Sequence, residues 1–376
     1  PETGSGVSVG FKSDRGFLRN VSIGAVGTRR VAAVLNEGGF RIIELERYCA
    51  SNKIWATKIK RLRVPDLLCL NSGIRIESRG KSSLEVTMSH AVNNPDRAWD
   101  KGLRDADLIA FVKCFPHDAT CTASDRIALF RVGDMRASAA EAGLSRMKSA
   151  AEGSEIRLTW PTTVPGTSGE VTAVSAERID TLLTSGRRQA YRLTRKAGRT
   201  LTPYVNVGDA FGDGDTIIAS LMPTLVSTTA PGIAQYDFLA DLASEVPEDI
   251  YVAVKALGFL PENATRSVPP LEAIAREHAD PRIKLEAAAS LARLDENAGW
   301  QQLEATATDR SGELAYRMET ALILAELPSS ESVRLLNIIA QSPAHESELR
   351  AAAVWSLSAQ AGSLSDLLPY VSDSDE

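Results

Sequence analysis

The sequence predicts a multidomain α+β protein with an α/β core, a small β-rich middle module and a C-terminal α-solenoid. Three observations indicate this division. Strand patterns surround a hairpin signal in residues 28–133, short runs of alternating polarity occur in residues 134–235, and a helical pattern recurs in residues 236–376. Residues 1–27 are interpreted as an N-terminal extension.

Length and composition exclude several classes of protein. The chain has 376 residues, of which 44% are hydrophobic, so it can bury the cores of two or three domains. No run of about 18 apolar residues is present, which predicts no transmembrane helix, and the opening residues lack the pattern of a signal peptide. The four cysteines form no Cys-x-x-Cys pair and are typical of a reducing compartment, so a cytoplasmic location is expected.

The net charge of −6 conceals a division between the two parts of the chain. Residues 1–235 contain 32 basic and 24 acidic side chains, whereas residues 236–376 contain 10 and 24. The first part is therefore positive and the second strongly negative. Because phosphates are attracted by one and repelled by the other, we expect nucleic acid, DNA rather than RNA, to contact the N-terminal part. The acidic part is expected to bind a partner protein.

The elements of the first predicted domain surround a hairpin. Asn71-Ser-Gly73 is a hairpin turn signal between two apolar runs. Asp107–Val112 is apolar enough for a strand that is buried on both faces. The other predicted elements are a helix at residues 29–36, a helix or strand from Phe40 to Tyr48, strands at Val64–Leu70 and Ile74–Arg79, and a helix from Asn94 through Trp99.

Three charged residues of this hairpin carry the predicted chemistry. Asp66 lies on its first strand, and Glu77 and Arg79 lie on the second, where residues two apart share a face. The hairpin brings Asp66 near Glu77, and two close carboxylates repel each other unless a cation lies between them. Mg²⁺ or Mn²⁺ is the usual cation for such oxygen ligands. With a cationic side chain to position water, this set predicts metal-assisted phosphodiester hydrolysis.

Pro65-Asp66 and Glu77-Ser78-Arg79, followed by a helix and an apolar strand, resemble the motif of the PD-(D/E)xK nuclease superfamily. The resemblance covers about residues 28–115 and implies the restriction-endonuclease-like fold. It also implies that Asp66 and Glu77 bind the metal and that the last motif position activates or orients the attacking water. Glu44 and Glu46 are candidates for a further acidic residue that this family often has ahead of the hairpin.

Arg79 stands where that family has a lysine. Arginine keeps its proton and cannot act as a general base, although it can orient water or stabilise the charge of a phosphorane. Lys81 shares its face if the strand is regular, and a bulge at Gly80 is a second way of presenting Lys81. An inactive site is the remaining alternative.

The same residues also have a purely structural interpretation. Asp66 can be a turn residue that follows a proline. Glu77 and Arg79 can form a salt bridge on a solvated face, which would stabilise the protein little. The sequence leaves the catalytic and the structural interpretation open.

Residues 155–225 predict a small β-barrel-like module. Strands are expected at Arg157–Trp160, Glu170–Val174 and Tyr191–Thr194, where apolar and polar residues alternate. Residues 134–151 are expected to form a helix that links this module to the preceding domain.

One stretch of this module is strongly basic and predicts contact with a nucleic-acid backbone. No acidic residue interrupts it, and an aromatic residue, Tyr191, lies within it. The alternative is a solvated edge strand that is protected from aggregation by its charge. Its members are Arg187, Arg188, Arg192, Arg195, Lys196 and Arg199.

Residues 236–376 predict an α-solenoid of paired helices. Apolar sets at i, i+3 and i+6 recur at offsets of 34, 33 and 33 residues, and a second amphipathic segment follows each set, the last near Leu364. Asp280-Pro-Arg282 precedes one helix, and this part resembles a short array of HEAT repeats. A structural spacer is the alternative to a protein-binding surface. The sets begin at Val254, Ala288, Ala321 and Val354.

The favoured hypothesis is a DNA-binding, metal-dependent endonuclease that belongs to a multiprotein assembly, by analogy an anti-phage or restriction assembly. The alternative is a catalytically inactive scaffold of nuclease fold that binds DNA and recruits a protein through the solenoid. A protein-binding adaptor without nucleic-acid contact is a third hypothesis, which the positive N-terminal part disfavours.

Overall fold

The computed structural model describes residues 15–45, 55–57, 62–91, 94, 98–117, 120–146, 155–194, 199–230 and 235–360. The chain divides into two compact units. The β-rich unit comprises the described residues of 15–46 and 63–236, and the helical unit comprises those of 47–62 and 237–376. The predicted mixed α+β architecture, with sheets first and a run of helices afterwards, is confirmed.

The secondary structure of the β-rich unit consists mostly of short strands. Its helices are α1 (Arg15–Glu37) and α2 (Val132–Ala137). Its strands are β1 (Ile42–Glu44), β2 (Leu67–Cys69), β3 (Arg75–Lys81), β4 (Thr87–Ala91), β5 (Leu108–Pro116), β6 (Cys121–Arg131), β7 (Gly143–Arg146), β8 (Glu155–Thr159), β9 (Thr162–Thr163), β10 (Gly169–Val174), β11 (Arg178–Leu183), β12 (Arg188–Arg192), β13 (Thr202–Pro203), β14 (Ala210–Phe211) and β15 (Ala219–Ser220).

The largest sheet has the strand order β1-β2-β3-β5-β6. Strands β1, β2 and β3 form an antiparallel meander, β5 is parallel to β3, and β6 is antiparallel to β5. Gly73, with a φ of 68°, lets the chain reverse at the predicted hairpin turn. Strands β3 and β5 therefore confirm the second predicted hairpin strand and the predicted buried strand, and the segment after Phe40 is a strand. The first hairpin strand, predicted over Val64–Leu70, is limited to Leu67–Cys69. Asp66 therefore lies directly before β2 and not on it, after a proline that has no N–H to donate to the sheet.

Helix α1 packs across one face of this sheet. Ile23, Val31 and Leu35 of the helix belong to one apolar cluster with Ile76 of β3 and Val112 of β5. The helix begins at Arg15 and not at the predicted residue 29. Glycines in its first half lower the intrinsic helical propensity there, so packing against the sheet and not the local signal sets its length.

Two glycines allow α1 to approach β3 closely. A Cβ atom at Gly80 would lie 2.4 Å from the carbonyl oxygen of Ile23, and one at Gly27 would lie 2.8 Å from the Cα atom of Gly80. Gly80 remains in regular register with β5, opposite Val112, so the predicted alternative of a bulge at Gly80 is wrong. The glycine is required for helix packing and not for a break in the strand.

The opposite face of the sheet is covered by a second apolar cluster. It contains Phe111 and Phe130 of the sheet, and Trp99 packs there edge-on against Trp160 with 5.5 Å between ring centroids. Trp99 lies in a turn, so the helix predicted to run through it does not reach it. Residues 95–97 lie outside the described part of the chain.

The predicted linking helix over residues 134–151 is mostly wrong. Helix α2 ends at Ala137, a short 3₁₀ turn follows at Ala139–Glu141, and Gly143–Arg146 is strand β7. Strand β7 pairs with β8, which also pairs with β4. These pairings override a helical preference that comes from small residues alone. Residues 147–151 lie outside the described residues.

The middle segment forms two further sheets. Their strand orders are β12-β11-β10-β14 and β13-β15-β9. The three predicted strands correspond to β8, β10 and β12, although β12 ends at Arg192. Because β8 pairs with β4, the segments 28–133 and 134–235 share a sheet within one compact unit.

The helical unit is a run of helices with regular spacing. After the short helix α3 (Phe238–Asp241), alternate helices start at Pro247, Pro281, Leu314 and Ser347, at steps of 34, 33 and 33 residues. Neighbouring and next-but-one helices pack against each other in this run. Its remaining helices are α4 (Pro247–Leu257), α5 (Ala264–Glu277), α6 (Pro281–Arg293), α7 (Asn297–Thr308), α8 (Leu314–Leu324), α9 (Ser330–Gln341) and α10 (Ser347–Gln360).

Buried ion pairs connect alternate helices of this run. Arg293 pairs with Glu286 at 3.1 Å and with Glu326 at 2.8 Å, and Lys255, which is 1% exposed, lies 3.5 Å from Glu326. Gln360, where the apolar pattern expects leucine, donates to the carbonyl oxygen of Leu324. These partly or wholly buried groups form specific polar contacts between helices, which favours one register between helices over others. The segment predicted near Leu364 lies outside the described residues.

No helix among the described residues has both the length and the apolar character needed to cross a bilayer. Cys69, Cys114 and Cys121 are free thiols, and burial raises the pKa of the Cys114 thiol to about 12. Cys49 lies outside the described residues. The cytoplasmic location remains a prediction.

We predict that Gly80→Ala destabilises the β-rich unit. The added Cβ atom would overlap the Ile23 carbonyl, and such overpacking costs about 1–3 kcal/mol of the free energy of unfolding. Urea denaturation of the full chain measures this loss. Gly166→Ala is the matched control because its Cβ atom would meet nothing within 4 Å. Equal stability of both variants would contradict the close packing of α1 on β3.

Candidate active site

Strand β3 presents a row of alternating charges on one face. Its register with β5 is regular from Ile76 through Lys81. Ser78 and Gly80 therefore face α1, whereas Glu77, Arg79 and Lys81 share the opposite face. This placement confirms the expectation that Lys81 follows Glu77 and Arg79 along a regular strand.

Asp66 lies beside this row, directly before β2. Leu67 pairs with Ile76, so the continuing register places Asp66 opposite Glu77. The side chain is buried, and its Oδ2 accepts a hydrogen bond of 2.7 Å from the Ser78 backbone N–H. Its own carbonyl accepts from the Leu45 N–H at 2.8 Å. Asp66 is thus a carboxylate held in place beside Glu77, and its hydrogen bond to the backbone of β3 also fits the structural interpretation.

Glu77 and Arg79 form an ion pair on the strand surface. Arg79 Nη2 lies 2.6 Å from Glu77 Oε1, and Arg79 Nη1 donates to the Ser78 carbonyl at 3.4 Å. The side chains are 33% and 18% exposed, so solvent screens the pair and its net stabilisation is small. The predicted salt bridge exists, and its weakness means that a competing cation can displace the guanidinium.

Lys81 has an ammonium group that the fold holds in one position. Its Nζ donates to the carbonyl oxygen of Thr87 at 3.1 Å and to Thr87 Oγ1 at 2.8 Å. Burial, together with the smaller effects of the positive charges of Arg79 and Arg157, lowers the pKa of Lys81 from 10.5 to about 8, against an opposing effect of Glu85. A lysine with this pKa exchanges a proton near neutral pH.

Glu44, a candidate further acid of the site, lies on the other face of the sheet. It pairs with Leu67, which in turn pairs with Ile76. Leu67 and Ile76 belong to the cluster packed by α1. Strand alternation therefore places Glu44 on the α1 side, away from Glu77, and the structure does not bring it to the predicted acidic pair. Glu46 lies outside the described residues.

Two other residues near Lys81 were missed by sequence reasoning. Thr87 lies on β4 and Arg157 lies on β8. These two strands pair with each other in a separate sheet. Thr87 belongs to no recognisable motif with Lys81, and Arg157 is far from it in sequence, because 73 residues separate the end of β3 from the start of β8. The pairing of β4 with β8 places both Thr87 and Arg157 at the end of β3, beside Lys81.

Asp66 and Glu77 supply hard oxygen donors of the kind that Mg²⁺ and Mn²⁺ prefer. Among the residues that the structure describes, no group of three or more His, Cys, Asp or Glu side chains is arranged to hold a metal ion. A pair of carboxylates fits Mg²⁺ when the substrate phosphate and waters complete its shell, which is a usual mode for this ion. The donor set thus fits a metal that binds together with its substrate.

The predicted basic stretch is only partly assembled. Arg188 and Arg192 project from the edge strand β12 on its exposed face, and Arg187 is also exposed. None of these three forms an ion pair within the described part of the chain. Arg199 instead lies 3.6 Å from Glu141 Oε2 and donates to its carbonyl at 2.7 Å. Arg195 and Lys196 lie outside the described residues.

Comparisons with protein-family models and with curated proteins find no match for this chain. The resemblance to the PD-(D/E)xK nucleases therefore depends on the motif residues and on their arrangement. Asp66 and Glu77 match the acidic positions of that motif, Arg79 stands at the position of its lysine, and Lys81 lies two residues beyond it.

We predict that Lys81 titrates near pH 8. Reductive ¹³C-methylation followed by NMR titration measures this pKa directly, and Lys81→Arg identifies the resonance. Arg79→Met should raise the pKa, because it removes one neighbouring positive charge and frees the negative charge of Glu77. Arg126→Met, which changes an exposed position of β6, should leave the pKa of Lys81 unchanged. A parental value near 10.5 would contradict the burial of the ammonium.

Proposed function

We propose that the β-rich unit is a divalent-metal-dependent nuclease that cleaves DNA. The single observation that carries this proposal is the register of β3, which aligns Glu77 and Lys81 on one face and sets Asp66 opposite Glu77. No other described feature combines two adjacent carboxylates with a lysine of lowered pKa.

Asp66 and Glu77 are the residues that would hold the metal. A bound divalent ion supplies Lewis-acid stabilisation of the negative charge that develops on the phosphate. Asp66 is held in place by the Ser78 N–H, so it is preorganised for this role. Glu77 becomes available when Arg79 releases it, and the freed guanidinium can then contact a phosphate oxygen.

Lys81 is the group that handles the proton of the attacking water. Its hydrogen bonds to Thr87 fix the amine at the end of the charged row. With a pKa of about 8, a substantial fraction of the amine is neutral slightly above neutral pH and can accept a proton. Arg79 cannot do this, because its guanidinium stays protonated.

The remaining parts of the chain fit a role in binding. Arg187, Arg188 and Arg192 offer positive charge that no carboxylate of the described residues neutralises, and they would contact the DNA backbone. The regular helical run is a HEAT-like solenoid in this proposal, and its acidic surface binds a partner protein in a defence or restriction assembly. Val333 and Ile338 are exposed apolar side chains on α9 that such a partner would cover.

We expect the protein to cut labelled single- or double-stranded DNA with Mg²⁺ or Mn²⁺ and not with EDTA. Asp66→Asn and Glu77→Gln should abolish cleavage, because they remove the charge of the ligands and keep their shape. Glu170→Gln, an exposed position on β10, is the matched control and should cut as the parent does. Cleavage that survives in Asp66→Asn or Glu77→Gln would overturn the proposed site.

The cleavage rate should rise with pH and level off above about pH 8. Below that pH the Lys81 amine carries its proton and cannot accept another, whereas above it the amine is neutral. Lys81→Met should lower the rate by about 10²–10⁴ and remove this pH dependence. A profile that is flat between pH 6 and 9 in the parent would rule out proton transfer by Lys81.

A catalytically inactive, DNA-binding scaffold is the second candidate function. It is favoured by the contacts of Arg79, which bridges Glu77 and the Ser78 carbonyl where the metal would bind. On this alternative the guanidinium replaces the metal permanently. DNA binding without cleavage at any Mg²⁺ or Mn²⁺ concentration, in the parent and in Arg79→Lys, would support the scaffold.

The double variant Arg188→Gln with Arg192→Gln should weaken DNA binding and reduce its salt dependence. Each lost phosphate contact lowers the slope of log K against log salt by about 1. Fluorescence anisotropy at several salt concentrations measures both effects. Arg266→Gln with Arg276→Gln, two exposed positions of the helical unit, is the control with the same change of charge. An unchanged slope in the β12 variant would show that DNA binds elsewhere.

A further inference from the structure

A cleft of about 840 Å³ lies directly beyond the charged row of β3. Ser82 and Ser83, which follow Lys81, form one side of it, and Lys113, the register partner of Lys81 on β5, also lines it. The segment that runs from Thr159 at the end of β8 through Gly166 forms the other side. The cleft therefore adjoins the Lys81 end of the charged row, although Asp66, Glu77 and Lys81 do not line it, and its lining residues all belong to the β-rich unit.

The lining combines a cation with apolar and hydroxyl groups. Lys113 Nζ donates to the Asp213 carbonyl at 2.8 Å and lies 4.9 Å from the Phe115 ring centroid, and it forms no ion pair within the described part of the chain. Leu84 and Val164 give apolar surface. Glu85 is the one carboxylate that lines it, and the second cation there is Arg199, which is already paired with Glu141.

This chemistry matches one class of ligand. An apolar wall suits the flat face of a base, hydroxyls suit its polar edge, and an ammonium without a carboxylate partner suits a phosphate. The volume is in the range of about 300–1,000 Å³ that is typical of small-ligand pockets. A purely apolar ligand would leave the Lys113 charge without compensation, and a double helix is too wide for a pocket of this size.

We propose that the cleft holds one nucleotide of a nucleic-acid strand whose neighbouring phosphate lies at Asp66, Glu77 and Lys81. This proposal rests on the proposed function, because it requires that the nucleic-acid strand bound in the cleft also crosses the candidate active site. The base lies against Leu84 and Val164, and its phosphate lies at Lys113. The cleft therefore selects substrates in which a nucleotide is unpaired at the cut site, either single-stranded or turned out of a duplex.

Gly166 allows the cleft to be filled without disturbing the fold. A Cβ atom at this glycine would meet nothing within 4 Å, and its φ is not in the left-handed region. Gly166→Trp would place an indole in the space of the nucleotide. Thr167→Trp is the matched control, because the neighbouring residue is exposed and does not line the cleft. Lys113→Met, with Lys101→Met as its control, removes the proposed phosphate contact.

The experiment measures binding of a labelled 12-nucleotide single strand by anisotropy and of free dTMP by calorimetry, in EDTA. Removing one stacked base costs about tenfold or more in affinity. We expect this loss for the single strand in Gly166→Trp and a smaller loss in Lys113→Met, with both controls like the parent. Unchanged thermal denaturation of Gly166→Trp confirms that its fold is intact, and Gly166→Leu replaces it if the fold is lost.

The outcomes separate the two proposals. If the parent binds the strand and Gly166→Trp binds it equally well, the cleft proposal is overturned and the proposed function stands. If the parent binds dTMP but no strand, and Gly166→Trp loses dTMP, the cleft proposal is overturned and the cleft is a site for free nucleotides. If the parent binds neither probe, the cleft proposal is overturned. In both cases the metal-dependent cleavage assay decides the proposed function, because binding in EDTA does not include the metal.

Discussion

The contact between α1 and β3 at Gly27 and Gly80 is the constraint on which the candidate active site depends. Helix α1 touches the backbone of β3 at these two glycines, and β3 keeps a regular register with β5 from Ile76 through Lys81. That register alone decides which side chains share a face. A side chain at Gly80 would have to push away the Ile23 carbonyl or bend the strand, and either change would move Lys81 relative to Glu77.

At the end of β3 positive side chains outnumber negative ones, and this excess of positive charge determines the electrostatics of the site. Arg79, Lys81 and Arg157 interact with one another at the end of β3, while Glu77 and Glu85 offset them only partly. Burial and this local excess of positive charge keep the Lys81 pKa low, and the same excess attracts a phosphate. In the proposed function Arg79 would therefore decide between two states: its ion pair with Glu77 would close the site, and its contact with a substrate phosphate would leave Glu77 to a metal.

The parts that were predicted from sequence are those with a local physical cause. The hairpin turn at Asn71–Gly73, the apolar strand β5 and the spacing of the C-terminal helices arise from turn chemistry and hydrophobic periodicity. The start of α1, the face occupied by Glu44 and the approach of Thr87 and Arg157 to Lys81 depend on tertiary packing, so no local pattern predicts them. The failed helix at residues 134–151 has the same origin, because pairing with β8 outweighs the preference of small residues.

Some arginines of this protein maintain the packing and others remain available to a ligand, and this bears on what each unit can bind. In the helical unit Arg293, Arg317 and Arg334 each pair with carboxylates, two of them almost wholly buried, so their charge maintains the packing of the helices. The acidic excess of that unit consequently remains on its surface. In the β-rich unit Arg79, Arg136 and Arg199 also pair with carboxylates. Arg188 and Arg192 differ from them, because they lie on an exposed edge strand and form no ion pair among the described residues. In the proposed function this available charge would attract a phosphate backbone to the unit that also carries the candidate active site.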